Sequence, residues 1–148
     1  MSYPVFNGVK MMNRPHFKYR VAIRQEDGSY KRFEVSTIAF RADKIIVEYS
    51  YVADANHGKV GSVVVDGRTA ILEQCTGILD NTGADIYEHD IPRDTRNKRE
   101  YKVDWVGCTA EFVMTPLDGE ERYNPKSLYF VNKSFGRFKI IGNIHERF

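Results

Sequence analysis

The sequence predicts a mainly β protein, a β-rich α+β fold with a small N-terminal β-hairpin subdomain and one short helix. Apolar and polar residues alternate with a period of two wherever the pattern is clear. Turn dipeptides such as Asp27-Gly28 and Asp66-Gly67 separate the alternating runs. A period of two places successive side chains on opposite faces of a strand, so we expect a barrel or a sandwich of short strands.

The N-terminal part contains three predicted strands. Lys18–Arg24 alternates apolar with mostly basic residues, and the alternation resumes at Arg32–Val35 after Asp27-Gly28, which predicts a hairpin. Lys44–Tyr51 is rich in β-branched residues that fit a pleated sheet. Residues 53–61 are small, polar and glycine-bearing, which is typical of a surface loop or linker. We therefore divide the chain into a β-rich subdomain with its linker, 1–61, and a C-terminal core, 62–148, with one continuous domain as the alternative.

The C-terminal part is predicted to be strands with one helix. Asn124-Pro125 places an N-cap residue before a proline at the first helical position, so a short helix is expected over Lys126–Asn132. Pro92 lacks a ladder N–H and is expected to end a strand that begins at Ile86. The other predicted strands are Ser62–Val65 and Thr69–Gln74, joined as a hairpin by Asp66-Gly67, then Tyr101–Val106, Phe112–Thr115 and Phe138–Ile144.

Charge and composition exclude several classes of protein. The chain has 148 residues, long enough to bury a core, with 22 Lys and Arg against 20 Asp and Glu, a formal net charge of +2 that argues against a strongly basic nucleic-acid coat protein. No apolar run approaches the roughly 18 residues of a membrane span, and Met1–Pro15 lacks the apolar core of a secretory signal. Cys75 and Cys108 are too few for a disulfide scaffold, so we expect buried, unpaired thiols in a reducing compartment.

Two motifs in the second half resemble a known family. Residues 76–91 read TGILDNTGADIYEHDI, and residues 141–146 read IGNIHE. They resemble the T-G-L-x-D-x-x-G-x-x-I-Y-E-G-D-I segment and the closing I-G-N-I-x-E of the YopX family of phage and prophage proteins. The resemblance implies a mostly β protein, barrel-like in its C-terminal half, that works in the cytoplasm of a bacterial host. It supplies no biochemical mechanism. The matching positions are Thr76, Gly77, Asp80, Gly83, Ile86, Tyr87, Glu88, Asp90, Gly142, Asn143 and Glu146.

The motif residues favour a structural role, with one departure from the family pattern. Asp80 to Gly83 has the composition of a turn in which polar side chains bind local backbone and glycine adopts a positive φ. His89 stands where the family has glycine, which implies either an ordinary β conformation or a strained one. On a strand, Glu88 and Asp90 would point to one face and His89 to the other.

No catalytic signature is present, so we predict no catalytic residues, no resident metal and no cofactor. The P-loop, H-E-x-x-H, C-x-x-C and G-x-S-x-G patterns are all missing. A remote alternative is a metal-dependent nuclease that uses Asp90, Glu100 and Lys102, although a solvated charged face explains these residues more simply. A metal site of His89, His145, Glu88 and Glu146 is a further alternative to two surface histidines.

Basic residues gather in two segments, with aromatic residues between them. Such a pattern suits a groove for single-stranded nucleic acid, whereas an exposed basic loop with core aromatics is the favoured explanation. Our leading hypothesis is a non-enzymatic accessory protein that binds an unknown protein partner or a second copy of itself through an exposed strand edge. We expect no membrane partner. Nucleic-acid binding is the alternative, through Arg93, Arg96, Lys98, Arg99, Lys102, Lys133, Arg137 and Lys139.

Overall fold

The computed structural model describes residues 5–6, 9–10, 18–54, 57–118, 126–127 and 137–147. Antiparallel strands dominate these residues, which confirms the predicted mainly β class. None of the helices among them is long or apolar enough to cross a membrane. The strands are β1 Val5–Phe6, β2 Val9–Lys10, β3 Tyr19–Arg24, β4 Tyr30–Arg41, β5 Lys44–Asp54, β6 His57–Val65, β7 Ala70–Leu79, β8 Asp85–Tyr87, β9 Asp90–Asp94, β10 Tyr101–Val106, β11 Glu111–Pro116, β12 Lys126–Ser127 and β13 Phe138–Asn143, followed by helix α1 Ile144–Arg147.

The largest sheet has six strands in the order β6-β5-β4-β3-β7-β8. β3 lies inside it and pairs with β4 on one side and β7 on the other. Val21 and Ala22 of β3 are both fully buried, so this strand is covered on both faces. On the basic face that the alternation gives to β3, Arg20 points into the protein, whereas Arg24 at the end of the strand is exposed.

The described strands do not close into the predicted barrel. β6 and β7 are joined by the short turn 66–69, yet three other strands separate them in the sheet order. The Asp66 carboxylate accepts the backbone N–H groups of Arg68, Thr69 and Ala70, so the predicted turn forms. The predicted ladder of that hairpin does not form, because β7 pairs with β3 instead of β6. We call the unpaired junction between β6 and β7 the seam.

The remaining strands form smaller sheets. β10, β11 and β12 form one, β9 and β13 form another, and an isolated bridge between Arg93 and Glu100 connects β9 to the start of β10. One hydrophobic cluster contains Ile86, Tyr101 and Phe138, and a second cluster around Val21 and Val47 packs against the large sheet. The described residues thus contain two apolar centres.

The predicted helix over Lys126–Asn132 is wrong where the structure can be compared with it. Lys126 and Ser127 form β12, because pairing with Met114 and Val113 of β11 overrides the local capping signal. Residues 128–132 lie outside the described residues. A helix occurs instead at Ile144–Arg147, where the predicted last strand stops and the Asn143 side chain accepts the N–H of His145.

The loop predicted over 53–61 is also wrong, because β5 continues to Asp54 and β6 begins at His57. Gly61 is a strand residue that packs directly under the ring of its cross-strand partner Tyr49, and a Cβ there would collide with that ring. The glycine therefore serves close packing and not a turn. Pro92 lies within β9 and does not end a strand, since β9 pairs only with β13 at that point. The division of the chain at residue 61 stays a prediction.

Candidate functional site

The centre of the molecule contains a fully buried carboxylate, Glu73 of β7. Its Oε1 accepts hydrogen bonds from Nε of Arg20 at 2.9 Å and from Nε of Arg32 at 3.3 Å. Its Oε2 lies 3.1 Å from Nδ1 of His89 and accepts Nδ2 of Asn143 at 3.0 Å. Each oxygen thus has two hydrogen-bonding partners, as expected of a buried carboxylate.

A second buried carboxylate, Asp90, shares these partners. Its Oδ1 accepts Nη2 of Arg20 at 2.6 Å and Nδ2 of Asn143 at 3.3 Å, and its Oδ2 accepts the N–H of Tyr87 at 2.9 Å. The guanidinium of Arg20 lies 4.0 Å from the centre of the Tyr87 ring, a cation–π contact. We call the set the ionic cluster. It links the six-stranded sheet to β9 and β13, and its members are Arg20, Arg32, Glu73, His89, Asp90 and Asn143.

The ionic cluster changes the acidity of its members. Burial disfavours the charged form of Glu73, but its contacts with His89, Arg20 and Asn143 outweigh burial and lower its pKa to about 2. Burial likewise disfavours a charged His89, but the hydrogen bond and charge of Glu73 raise the His89 pKa above its ordinary value. These two groups therefore favour an ion pair in the folded protein.

The backbone of His89 has a φ of +70°, in the left-handed region. Of the two conformations expected for this position, ordinary β or strained, the strained one is therefore present. Glu88 and His89 form a turn between β8 and β9, so the expectation of alternate faces on one strand is wrong. The backbone N–H of His89 donates to Val103, and its carbonyl accepts the N–H of Ile144. Bonds on both sides hold this position in the left-handed region, which explains why a glycine suits it.

We expect His89→Gly to be more stable than His89→Ala by about 1 kcal/mol, because a left-handed backbone strains alanine but not glycine. Both substitutions remove the imidazole, so their difference in the free energy of unfolding, measured in urea, isolates the backbone term. Equal stabilities of the two variants would show that the backbone at residue 89 is unstrained.

A groove opens beside the ionic cluster. It has a volume of about 650 Å³ and is lined by Arg24, Gly28, Ser29, Tyr30, His145 and Glu146. The His145 ring lies edge-on to the His89 ring, with 4.6 Å between the ring centres. Burial lowers the pKa of His145, and the neighbouring charge of His89 lowers it further. Glu146 closes one side through an ion pair with Arg32 at 2.6 Å.

The structure brings together part of the metal site considered from the sequence. His89 and His145 are adjacent, but the carboxylate between them is Glu73. Glu88 accepts the N–H of Gln74 instead, and Glu146 is paired with Arg32.

The nuclease residues do not share partners. Asp90 belongs to the ionic cluster, whereas Glu100 pairs with Arg93 at 2.6 Å and with Arg147 at 2.5 Å. Lys102 pairs with Asp104 at 3.4 Å. The nuclease hypothesis gains no support from these contacts.

The motif turn forms as the sequence indicates. Asp80 accepts the N–H groups of Thr82 and Ala84 and, across the molecule, that of Ile140. Gly83 has φ of +85°, as the turn requires. Thr76, Gly77 and Ile86 belong to the same region: Thr76 donates to the Ile86 carbonyl, and Gly77 also has a positive φ. Gly142 marks a register shift in β13 opposite β9.

The candidate nucleic-acid residues differ in exposure. Arg137 is tied to the fully buried Asp94 at 2.6 Å, which is a structural role. Arg93 and Lys139 are exposed cross-strand neighbours on β9 and β13. Arg96 and Lys98 are exposed, Arg99 and Lys102 are half-buried, and Lys133 lies outside the described residues. Nucleic-acid binding by this set stays a prediction.

Among the described residues, exposed large apolar side chains occur on β4 and β6 of the large sheet, and also at Leu79 of β7 and Trp105 of β10. Phe40 is 79% exposed, Val60 64% and Val64 44%. The outer edge of β6 pairs with no strand among the described residues. We call this unpaired strand border the β6 edge.

The two cysteines have different environments. Cys75 is buried, as expected, and burial raises the pKa of its thiol. Cys108 is exposed, so the expectation of burial is wrong for it, because it lies in the turn after β10.

Three central residues, Arg20, Arg32 and Glu73, were not predicted as site residues. Glu73 follows the apolar residues Ala70–Leu72, and a single charge in such a run is the signal that marks a buried ion pair. Arg20 of β3 and Arg32 of β4 lie on the two strands of one hairpin, where Arg20 pairs with Glu34 and Arg32 pairs with Ala22.

Comparisons with known proteins give a family and a fold. The family model described as YopX protein matches residues 18–147. The crystal structure of protein EF1440 from Enterococcus faecalis resembles the chain with a TM-score of 0.52 and 18% sequence identity, covering 87% of this chain and 93% of that one. At this identity the likeness concerns the fold alone. Among curated proteins we found no match.

Proposed function

Because the chain belongs to the YopX family, we propose that it is a phage or prophage accessory protein that acts inside the bacterial host by binding a partner, without catalysis. The carboxylates at its centre support this, since Glu73 and Asp90 accept hydrogen bonds from arginine, asparagine and backbone N–H groups. Buried carboxylates held in this way stabilise a fold.

The observation that carries the proposal is the β6 edge. An unpaired strand exposes a row of N–H and C=O groups that can add a further strand, and natural edges are usually blocked by charges, proline or a covering element. β6 contains a single charged residue, Lys59, and no proline. Its outward side chains Val60 and Val64 are apolar and exposed. Within the part of the chain that the structure describes, the β6 edge therefore lacks the usual protection against strand addition.

The occupant that fits the β6 edge is a second copy of the same strand. In an antiparallel pair formed about the middle of β6, each Lys59 lies opposite an uncharged residue, so no like charges meet. The exposed residues Val60, Ser62 and Val64 share one face and would continue across the junction. Such an isologous interface closes as a dimer.

We expect the full chain to form a dimer, and Val60→Lys and Val64→Lys to weaken it by about tenfold or more in dissociation constant, because edge lysines oppose strand addition. Gel filtration with light scattering over a concentration series measures both. The control is Ser50→Lys, an equally exposed site directly opposite Val60 but one strand inside the sheet.

Ser50→Lys is expected to keep the dimer, because Ser50 is not on the edge. A monomer at every concentration overturns dimerisation through this edge. A dimer that Ser50→Lys disrupts as strongly as Val60→Lys places the contact on the sheet face and overturns it as well.

A further inference from the structure

We propose that Glu73, His89 and His145 form a binding site for one divalent transition-metal ion, with zinc as the favoured ion. One carboxylate oxygen and one nitrogen from each imidazole lie within 4.8 Å of one another. The three residues come from β7, the turn after β8 and helix α1, so the fold itself assembles the set.

The donor set has the chemistry of a transition-metal site. Two imidazole nitrogens and one carboxylate oxygen are ligands that zinc accepts in a four-coordinate site, leaving one position open. Hard ions such as Mg²⁺ prefer oxygen ligands and fit this set poorly. His145 also lines the groove, which gives an ion a path to the site.

The arginines do not block the site, because the two oxygens of Glu73 have separate partners. Arg20 and Arg32 bind Oε1, while Oε2 faces His89 at 3.1 Å and Asn143 at 3.0 Å. An ion at Oε2 would replace the proton between Glu73 and His89 and leave both arginine contacts in place.

An unsatisfied atom provides independent support. Nε2 of His145 is buried and has no hydrogen-bond partner. Buried polar atoms nearly always have a partner, so this nitrogen is free to bind an ion. Among the described residues, the other buried atom of this kind is Nη2 of Arg32, a donor that cannot bind a cation.

The local charge also leaves room for a cation. Arg20 and Arg32 contribute +2, whereas Glu73, Asp90 and Glu146 contribute −3, so the set carries 2 − 3 = −1 when both imidazoles are neutral. A proton on His89 or a bound metal ion offsets this charge. Metal binding therefore competes with that proton and strengthens as the pH rises.

The experiment is a calorimetric titration of chelator-treated full-length protein with zinc chloride at pH 7.5, in a Cys108→Ser background that removes the exposed thiol. We expect one zinc ion per chain and a higher thermal unfolding midpoint with zinc. His145→Gln should weaken binding by about 100-fold or more, since it removes a direct ligand. Glu48→Gln, a change at an exposed carboxylate of β5 that belongs neither to the ionic cluster nor to the groove, should leave binding unchanged. Magnesium chloride should give no binding.

Two results overturn the proposal: no zinc binding in the Cys108→Ser protein, or equal binding in its His145→Gln variant. Far-ultraviolet circular dichroism checks that the variant is folded. If His145→Gln does not fold, His89→Gly replaces it, because glycine suits the backbone at residue 89. Undiminished zinc binding in His89→Gly contradicts the site in the same way.

Discussion

Glu73→Ala is expected to lower the free energy of unfolding by about 3 to 5 kcal/mol, the cost of leaving buried charges without their partner. Glu73 is fully buried, and its removal takes one carboxylate from Arg20, Arg32, His89 and Asn143 at once. Urea unfolding followed by tryptophan fluorescence measures the change, with Trp105 as the reporter.

The matched control is Glu146→Ala. Glu146 also pairs with Arg32, but it is exposed, so its loss should cost less than about 1 kcal/mol. Glu73→Gln keeps the side-chain volume and one acceptor oxygen, and it should fall between the two. Should Glu73→Ala cost no more than Glu146→Ala, the ionic cluster would be irrelevant to stability.

The second expected result concerns pH: the protein should lose stability as the pH falls from about 4.5 towards 2. The pKa of Glu73 is about 2 in the folded protein, against an ordinary value of 4.5. The unfolded chain therefore binds more protons in this range, and acid favours unfolding. The stabilisation is complete above pH 4.5 and amounts to about 3 kcal/mol at most, lost as the pH falls through the folded pKa.

His89 has the opposite effect on stability, which it lowers as the pH rises. Its pKa is raised in the folded protein, so its contribution is complete below its ordinary value of 6.5 and is lost as the pH rises through the raised pKa. Stability should therefore peak between the two ranges. Urea midpoints from pH 2.5 to 8.5, measured with a chelator present, give the profile.

Glu73→Gln serves as the control for the acid range. Without an ionisable group at residue 73, the variant should show a flatter profile between pH 4.5 and 2.5, although it is less stable at neutral pH. If the variant and the unaltered protein gave parallel profiles, other carboxylates would dominate acid unfolding. Asp80 is one such group, because burial raises its pKa but the hydrogen bonds of its turn lower the pKa by more.

The sequence predicted what depends on local pattern. The β3–β4 hairpin follows from two-residue alternation around Asp27-Gly28, and the Asp80 turn follows from its side-chain chemistry. The pairing of β7 with β3 could not be predicted in this way. β7 can add to the free edge of β6 or to that of β3, and the local sequence does not decide between them. The helix predicted at Lys126 was wrong for a similar reason: a capping signal is weaker than a ladder with β11.

The candidate site was predicted only in part. A site that combines His89 and His145 was one alternative drawn from the sequence, beside two separate surface histidines, and the two rings do lie together. Glu73, Arg20 and Arg32 were missed, since alternation assigns charged residues to a solvent face. Here that face is enclosed by β9 and β13, and only the three-dimensional arrangement reveals it.

The seam between β6 and β7 has a consequence for the order of folding. β3 to β6 form consecutive hairpins whose contacts are close in the sequence, whereas β7 reaches β3 only after the whole meander has been bridged. Contacts between distant parts of a chain carry a greater loop-closure cost and slow folding. β7 carries Glu73, so we expect the buried charges to come together after the rate-limiting step. Destabilising changes at Glu73 should then accelerate unfolding and leave the folding rate almost unaltered.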